Sequence, residues 1–412
     1  MSSIKDYLRK TNFKPRLSAD PVDHLKFIVV IPCHDEPDLE ITLQSLELAA
    51  RPYHGAVEII VVINDAIHQQ PEVIIRNKQT VEYLETRKNE VPVHFIYETG
   101  ILSKKAGVGY ARKIGMDEGI YRFDLMGTTD GILCSMDADT IVEANYFTAI
   151  AEAYAQNNRS CKTIYFEHDL ALTIGSAHLQ AITHYELHLR YYINALRFAG
   201  FPHAYQTLGS AFCVQANAYA ALGGMPQRQA GEDFYFIHKF SINDQVSEIN
   251  STTVKPSSRR SHRVPFGTGR AVEQALSHKS ELTLTYPLKA FEDLKRLLSE
   301  LPSMYQEEYW SPRSLDESTQ AFLTSIEFDR ILKELKSNTS IFKSFVKRFF
   351  QKMDAFMMMK YVHFLRDYFY GTDDLVKASE KLLNLLKNPS FNDFDPLIIL
   401  DEYRRLDRGD GL

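Results

Sequence analysis

Two runs of β-branched, almost wholly apolar residues stand early in the chain, at 27–32 (FIVVIP) and 58–63 (EIIVVI). Continuous apolar runs of this length, bounded by polar turns, predict strands covered on both faces, as in a parallel sheet. Between them Leu39, Leu43, Leu46 and Ala50 recur at helical spacing, and Asp38 stands where an N-cap would. Strand–helix–strand is the unit from which parallel sheets are built. Further strands are predicted at 91–97, 131–136 and 209–214, with helices through 108–119 and 176–198. Residues 251–270 are polar, basic and glycine-containing, and read as a loop. Beyond about Tyr286 the strand signals fade, and amphipathic helical patterns run to about Lys387. The expected fold class is α/β: a domain over 25–280 with a mostly parallel central sheet, preceded by an N-terminal extension over 1–24 and followed by a helical region over 281–412.

Composition narrows the function classes. Of 412 residues, 44% are hydrophobic and 24% charged, near the soluble globular average, which excludes a disordered chain. The net charge of −6 offers no basic excess to recommend a nucleic-acid binder. Four cysteines with no CxxC pair support neither a disulfide scaffold nor a cysteine-based zinc site. The first ten residues hold no apolar signal-like segment, and no apolar run approaches the ~20 residues that span a bilayer. The expected location is the cytoplasm, with contact at the inner face of a membrane left open.

Four clusters carry candidate chemistry. His34-Asp35-Glu36-Pro37 follows the first strand and Asn64-Asp65 the second. Acids and amides at the carboxyl ends of parallel strands suit hydrogen bonds to a nucleobase or ribose; ordinary polar turns use the same residues. Asp137-Ala138-Asp139 follows a third apolar strand, and two carboxylates so spaced can share a hard divalent cation, or serve only as dipole-favoured acids at a helix start. Glu232-Asp233 opens an aromatic helix, where an acid can act as a general base or merely stabilise the helix dipole.

Taken in order, Ile-Pro-Cys-His-Asp-Glu-Pro, Val-Val-Ile-Asn-Asp, Gly109-Tyr-Ala-Arg112-Lys-Ile-Gly115, Met-Asp-Ala-Asp and Gly223-Gly-Met-Pro followed by Gly231-Glu-Asp closely resemble family-2-type glycosyltransferases of the GT-A fold. The resemblance covers about residues 25 to 265. It implies transfer of a sugar from a nucleoside-diphosphate donor to a hydroxyl of a glycan or lipid-linked acceptor, with inversion. It also implies that Pro32, Asp35, Glu36 and Asp65 contact the nucleotide, and that Lys105, Arg112 and Arg263 belong to the donor site. Asp137 and Asp139 become donor and metal ligands, with His262 as a third ligand to Mn²⁺ or Mg²⁺. Asp233 becomes the base and Glu232 its companion. Asp35 stands where the family usually has Asn, and Asn64 where it often has Asp. Arg112 can contact the donor or fix an acidic neighbour in the site, or lie on a solvated face shared with Lys104, Lys105 and Lys113.

Two other readings are weighed. A sugar-1-phosphate nucleotidyltransferase would carry a glycine-rich basic loop after the first strand, where this chain reads His-Asp-Glu-Pro. A non-catalytic sugar-nucleotide-binding protein would not need both acid pairs. Farther on, residues 342–365 form an aromatic and methionine stripe beside a basic face. Lys343 through Arg366 sums to +5. Such a helix either lies on an anionic membrane or packs its stripe in a core and leaves its basic face in water.

Overall fold

A computed structural model describes residues 3–228, 231–260, 267–277, 282–387 and 391–409. The chain divides into two compact units, residues 1–172 with 207–270, and residues 173–206 with 271–412.

The first unit contains, in chain order, α1 (Ser3–Lys10), β1 (Phe27–Cys33), α2 (Leu39–Ala50), β2 (Val57–Ala66), α3 (Pro71–Thr86), β3 (Val93–Ile101), α4 (Val108–Leu125), β4 (Ile132–Ser135), β5 (Ile141–Val142), α5 (Tyr146–Gln156) and β6 (Cys161–Phe166). After α6 (Gly175–Phe198), which belongs to the second unit, come β7 (Phe212–Gln215), α7 (Ala216–Ala221), α8 (Glu232–Ser241) and β8 (Val246–Lys255). One sheet holds all eight strands in the order β3-β2-β1-β4-β7-β6-β8-β5. β3, β2, β1 and β4 run parallel, β7 antiparallel to both β4 and β6, β8 parallel to β6, and β5 antiparallel to β8. This is the expected α/β architecture with a mostly parallel central sheet. The apolar runs of β1 and β2 lie free of solvent from Phe27 to Ile31 and from Ile59 to Ile63. Full burial of each such side chain stabilises the fold by about 1.5–3 kcal/mol.

The order also fixes where a ligand would sit. From β1 the chain builds outward through β2 to β3, then places β4 on β1's other side. That reversal opens a crevice at the carboxyl ends of β1, β2 and β4, where the segments 34–36 and 137–139 emerge beside residues 64–65 in the last pleat of β2.

Two local expectations need correction, and one strand carries no signal in the sequence reading. The stretch 251–270 is not all loop: β8 runs through Lys255 and a helix begins at Thr268. Thr252, Thr253 and Val254 of β8 are buried, so β-branched threonines fill strand positions that polarity alone disguises. Asp38 occupies the N-cap position of α2, but its side chain makes no cap bond; it faces Arg259 at 3.0 Å instead. Strand β6, CKTIYF, was not anticipated, and its Lys162 is buried, with the ammonium over the Tyr154 ring.

Residues 1–24 cluster with the first unit, bonded to the back of α4. Tyr7 and Tyr219 donate their hydroxyls to Asp117 Oδ1, each at 2.8 Å. Glu118 accepts the backbone N–H groups of Arg16 and Leu17. Arg122 pairs with Glu58 and donates to the carbonyls of Ala19 and Asp20. Buried charges persist when paired and hydrogen-bonded in this way.

Among its described residues the second unit has one short strand pair, Leu284–Thr285 with Asp373–Asp374, and is otherwise built of helices. It includes α6, which falls inside the 25–280 span by sequence. Along α6, Glu186 binds both Arg190 and Arg404, and Asp407 binds Arg190, Asn194 and Arg197. The pair Glu186–Arg190 thus belongs to a buried network with the helix Pro396–Arg408. His184 is buried, and His188 Nδ1 lies 3.0 Å from the Thr285 hydroxyl; burial holds the basicity of His188 down, to about 4. Residues 342–365 form two helices, Phe342–Lys352 and Ala355–Leu365, the second capped by Asp354 accepting from the Met357 N–H. Of the stripe, Phe345, Phe349, Phe350, Met353 and Leu365 are buried, Val346, Phe356, Met357 and Phe364 are half-buried, and Phe342 is exposed: half of the stripe is core. No helix among the described residues is long and apolar enough to cross a membrane.

Candidate active site

The crevice is assembled from strand ends. Pro32 can occupy β1, a central strand, because β1's pairing with β4 stops at Val30, leaving only β2 beside it there. Past Cys33 the backbone turns sharply, with Asp35 in the left-handed region at φ 53°. The Asp35 carboxylate takes a two-pronged ion pair from Arg76 of α3, with Nη2 at 2.9 Å. Its own N–H donates to Asn77 Oδ1 at 2.8 Å. Asn77, fully buried, donates in turn to Asp65 Oδ1 at 2.7 Å, and Tyr97 donates its hydroxyl to the other Asp65 oxygen. Burial and the Asp65 charge push the Tyr97 hydroxyl toward keeping its proton. The structure therefore brings Asp35 and Asp65 together, through an asparagine that sequence reading had not singled out. The signal was present: Asn77 lies four residues after the buried Val73 of α3, a polar residue on an apolar stripe.

Glu36 meets a second cation. Arg259, from the segment after β8, donates from Nη2 to both Glu36 oxygens at 2.7 Å, lies 3.0 Å from Asp38, and approaches Asp139 at 3.8 Å. One guanidinium thus ties the end of β1 to the acids after β4. The resemblance points to His262 and Arg263 in this basic stretch, and both lie outside the described residues.

Arg112, on α4, is 1% exposed. It donates from Nη2 to Asp137 Oδ1 at 2.6 Å and from Nη1 to Glu232. Gly209 makes room for it: a Cβ there would stand 2.7 Å from Nη2. The burial of Arg112 overturns the solvated-face reading, and its geometry is that of fixing acidic neighbours. Lys105 is exposed in the turn before α4, and no carboxylate among the described residues pairs with it.

Glu232 and Asp233 open α8 after Gly231, which sits at φ 71° in the conformation glycine adopts without strain. The two acids have different surroundings. Glu232 is 2% exposed and held by Arg112. Asp233 is half-buried and makes no ion pair among the described residues; its carboxylate accepts the Phe234 N–H. Burial, and next the charge of Glu232, push Asp233 up to about 7, against a smaller opposing pull from Arg112.

Among the described residues no group of three or more His, Cys, Asp or Glu side chains is arranged to hold a metal ion. Asp137 and Asp139, with side chains 40% and 24% exposed, are hard oxygen donors at a strand end. A hard divalent cation held by one or two carboxylates completes its shell with water and substrate phosphates. The donor set fits a cation shared with a phosphate ligand rather than one caged by protein.

No family model and no curated protein matches the chain. Solved structures are similar to it. S. aureus TarS 1–349 in complex with UDP-GlcNAc has a TM-score of 0.40 and 13% identity, covering 93% of this chain and 92% of that one. The mannosyltransferase PcManGT from Pyrobaculum calidifontis, in complex with GDP-Man and Mn²⁺, has a TM-score of 0.38 and 11% identity, covering 84% and 91%. GalNAc-T7 with UDP, GalNAc and Mn²⁺ has a TM-score of 0.37 and 14% identity, covering 82% and 58%.

Proposed function

We propose that this chain is an inverting glycosyltransferase that moves a sugar from a nucleoside-diphosphate donor to an acceptor hydroxyl. The observation that carries this reading is the contrast between neighbouring carboxylates at the start of α8. Glu232 is neutralised by Arg112, whereas Asp233 has no ion-pair partner among the described residues and is pushed up to about 7. A base whose proton affinity lies near the working pH is both available and strong enough to act.

In the reaction, the acceptor hydroxyl gives its proton to Asp233 as its oxygen attacks the anomeric carbon. The bond from that carbon to the β-phosphate oxygen breaks, and its electron pair leaves with the diphosphate. Attack opposite the leaving group inverts the centre. The buried Arg112 holds both Glu232 and the part-exposed Asp137, so the base and the donor-side acid keep their spacing. Asp35, Glu36 and Asp65 frame the nucleoside end, and Arg259 offers a guanidinium suited to phosphate oxygens. A divalent cation on Asp137 and Asp139 would neutralise charge on the leaving diphosphate.

The test is product analysis. Incubation with nucleoside-diphosphate sugars and glycan or lipid-linked acceptors should release free nucleoside diphosphate only when an acceptor is present. Release of pyrophosphate from a nucleoside triphosphate and a sugar phosphate would instead identify a nucleotidyltransferase. Donor binding without turnover on any acceptor would identify a binding protein.

A further inference from the structure

The two acids suited to share a cation are each met by a guanidinium. Arg112 Nη2 lies 2.6 Å from Asp137, and Arg259 Nη2 lies 3.8 Å from Asp139. The two guanidinium groups are not held alike. Arg112 is buried and bonded on its other side to the buried Glu232, so it has little room to withdraw. The Arg259 side chain is 33% exposed. Its shortest bonds go to Glu36, 2.7 Å from Nη2 to each oxygen, and its Nη1 reaches Asp38 at 3.0 Å. Asp139 is thus the most loosely held of its three carboxylates, and giving it up leaves the grip on Glu36 in place.

We propose that Arg259 is the resident counter-ion of Asp139, that a divalent cation displaces it there, and that the donor's diphosphate takes up the displaced guanidinium. Arg259 thereby couples metal binding to donor binding. This inference rests on the transferase reading of the site. A divalent ion on Asp139, with Arg259 still in place, sets like charges side by side in a part-buried crevice, where repulsion exceeds that in bulk water. The metal alone therefore binds weakly. Diphosphate oxygens attract both the metal and the guanidinium, and each ligand then strengthens the other by the same factor.

The experiment measures binding rather than turnover. Mn²⁺ is titrated alone, with the free ion followed by electron paramagnetic resonance, and again with a saturating nucleoside diphosphate. Arg259→Gln should tighten Mn²⁺ alone on the order of tenfold, and should lower the gain that the nucleotide brings by a similar factor. Chelation of Mn²⁺ by the nucleotide itself is common to parent and variant and cancels. A merely structural defect would weaken the metal instead. Arg260 is exposed and has no ion-pair partner among the described residues; Arg260→Gln should change Mn²⁺ affinity by less than about twofold, because an exposed charge is screened. Arg259→Lys keeps the charge, but one ammonium lacks the fork that serves Glu36 and Asp139 together, so its Mn²⁺ affinity should fall between those of parent and Arg259→Gln. Unchanged or weaker Mn²⁺ binding in Arg259→Gln, or an equal effect of Arg260→Gln, would overturn the coupling and leave the transferase reading standing. Should Arg259→Gln fail to fold, a parent-like Mn²⁺ affinity in Arg259→Lys would overturn it equally. A parent chain that binds neither Mn²⁺ nor any nucleoside diphosphate would overturn the transferase reading, and the coupling with it.

Discussion

Replacing Arg112 by methionine tests the site at its most connected residue. The guanidinium is 1% exposed and bonds to Glu232, itself 2% exposed, and to Asp137 at 2.6 Å. Methionine fills much of the same space but leaves the Glu232 charge buried without its partner. Breaking a buried pair from one side costs about 3–5 kcal/mol, a large part of the 5–15 kcal/mol that typically holds a domain folded. For a unit of this size each kcal/mol moves Tm by about 2–4 °C, so the variant should melt on the order of 6–20 °C lower. The catalytic signature is separate. Arg112 pulls the proton affinity of Asp233 downward, so its loss raises that affinity beyond about 7. A general base works only when deprotonated. The acid limb of kcat/KM, near pH 7 in the parent, should therefore shift to higher pH, and activity lost at neutrality should return in alkaline buffer. Adding Glu232→Gln removes the orphaned charge and should restore much of the Tm, with a coupling between the two changes of about 0.5–3 kcal/mol. Melting by calorimetry and nucleoside-diphosphate release across the titration range supply both readouts. An Arg112→Met variant that melts with the parent and keeps its pH profile would refute the coupling.

Asp233→Asn should lower kcat by about 10²–10⁴-fold with little change in nucleotide affinity, measured by steady-state kinetics beside calorimetric titration. The same substitution should alter stability against pH. A carboxylate raised in the fold favours the folded state fully below the ordinary carboxylate range, and that contribution is lost as pH rises through about 7; Asp233→Asn should flatten this dependence in denaturant melts. Asp139→Ala should abolish the thermal stabilisation that Mn²⁺ adds to nucleoside-diphosphate binding, while Tm without ligand stays close to the parent's. Gly209→Ala sets a methyl 2.7 Å from Arg112 Nη2 and should cost about 1–3 kcal/mol in chemical denaturation.

Much of the architecture was legible because its signals are local. The runs that became β1 and β2 are apolar throughout, as buried parallel strands must be, and the acids of the crevice follow such runs directly. What escaped reading depends on distant partners. β8 hid behind Ser251, Thr252 and Thr253, whose hydroxyls mask their fit to a pleated surface. Arg76 and Asn77 look like ordinary helix residues until α3 lies against the ends of β1 and β2. Arg259 gains its place only when the end of β8 is brought to Glu36 and Asp139, 223 residues away from Glu36 in the chain. The split between Glu232 and Asp233 could be guessed from their order, but its physical cause, a guanidinium 120 residues earlier, could not.

Helix α4 shows why the polar residues there resist an amphipathic reading. Arg112, Asp117, Glu118 and Arg122 are all buried, so the helix has no wet face to assign them to. Arg112, near its start, faces the crevice, while Asp117, Glu118 and Arg122 receive Tyr7, the backbone at Arg16 and Leu17, and the carbonyls of Ala19 and Asp20. The N-terminal residues thus provide hydrogen-bond partners for charges that would otherwise be buried at large cost. Lys113 joins the two halves: it adjoins Arg112 in sequence and binds Asp117 at 2.8 Å. The segment before β1 is therefore part of what seats α4, and α4 is what carries Arg112 to Glu232 and Asp137. Its contribution to the site runs through the position of one helix rather than through any contact with a ligand.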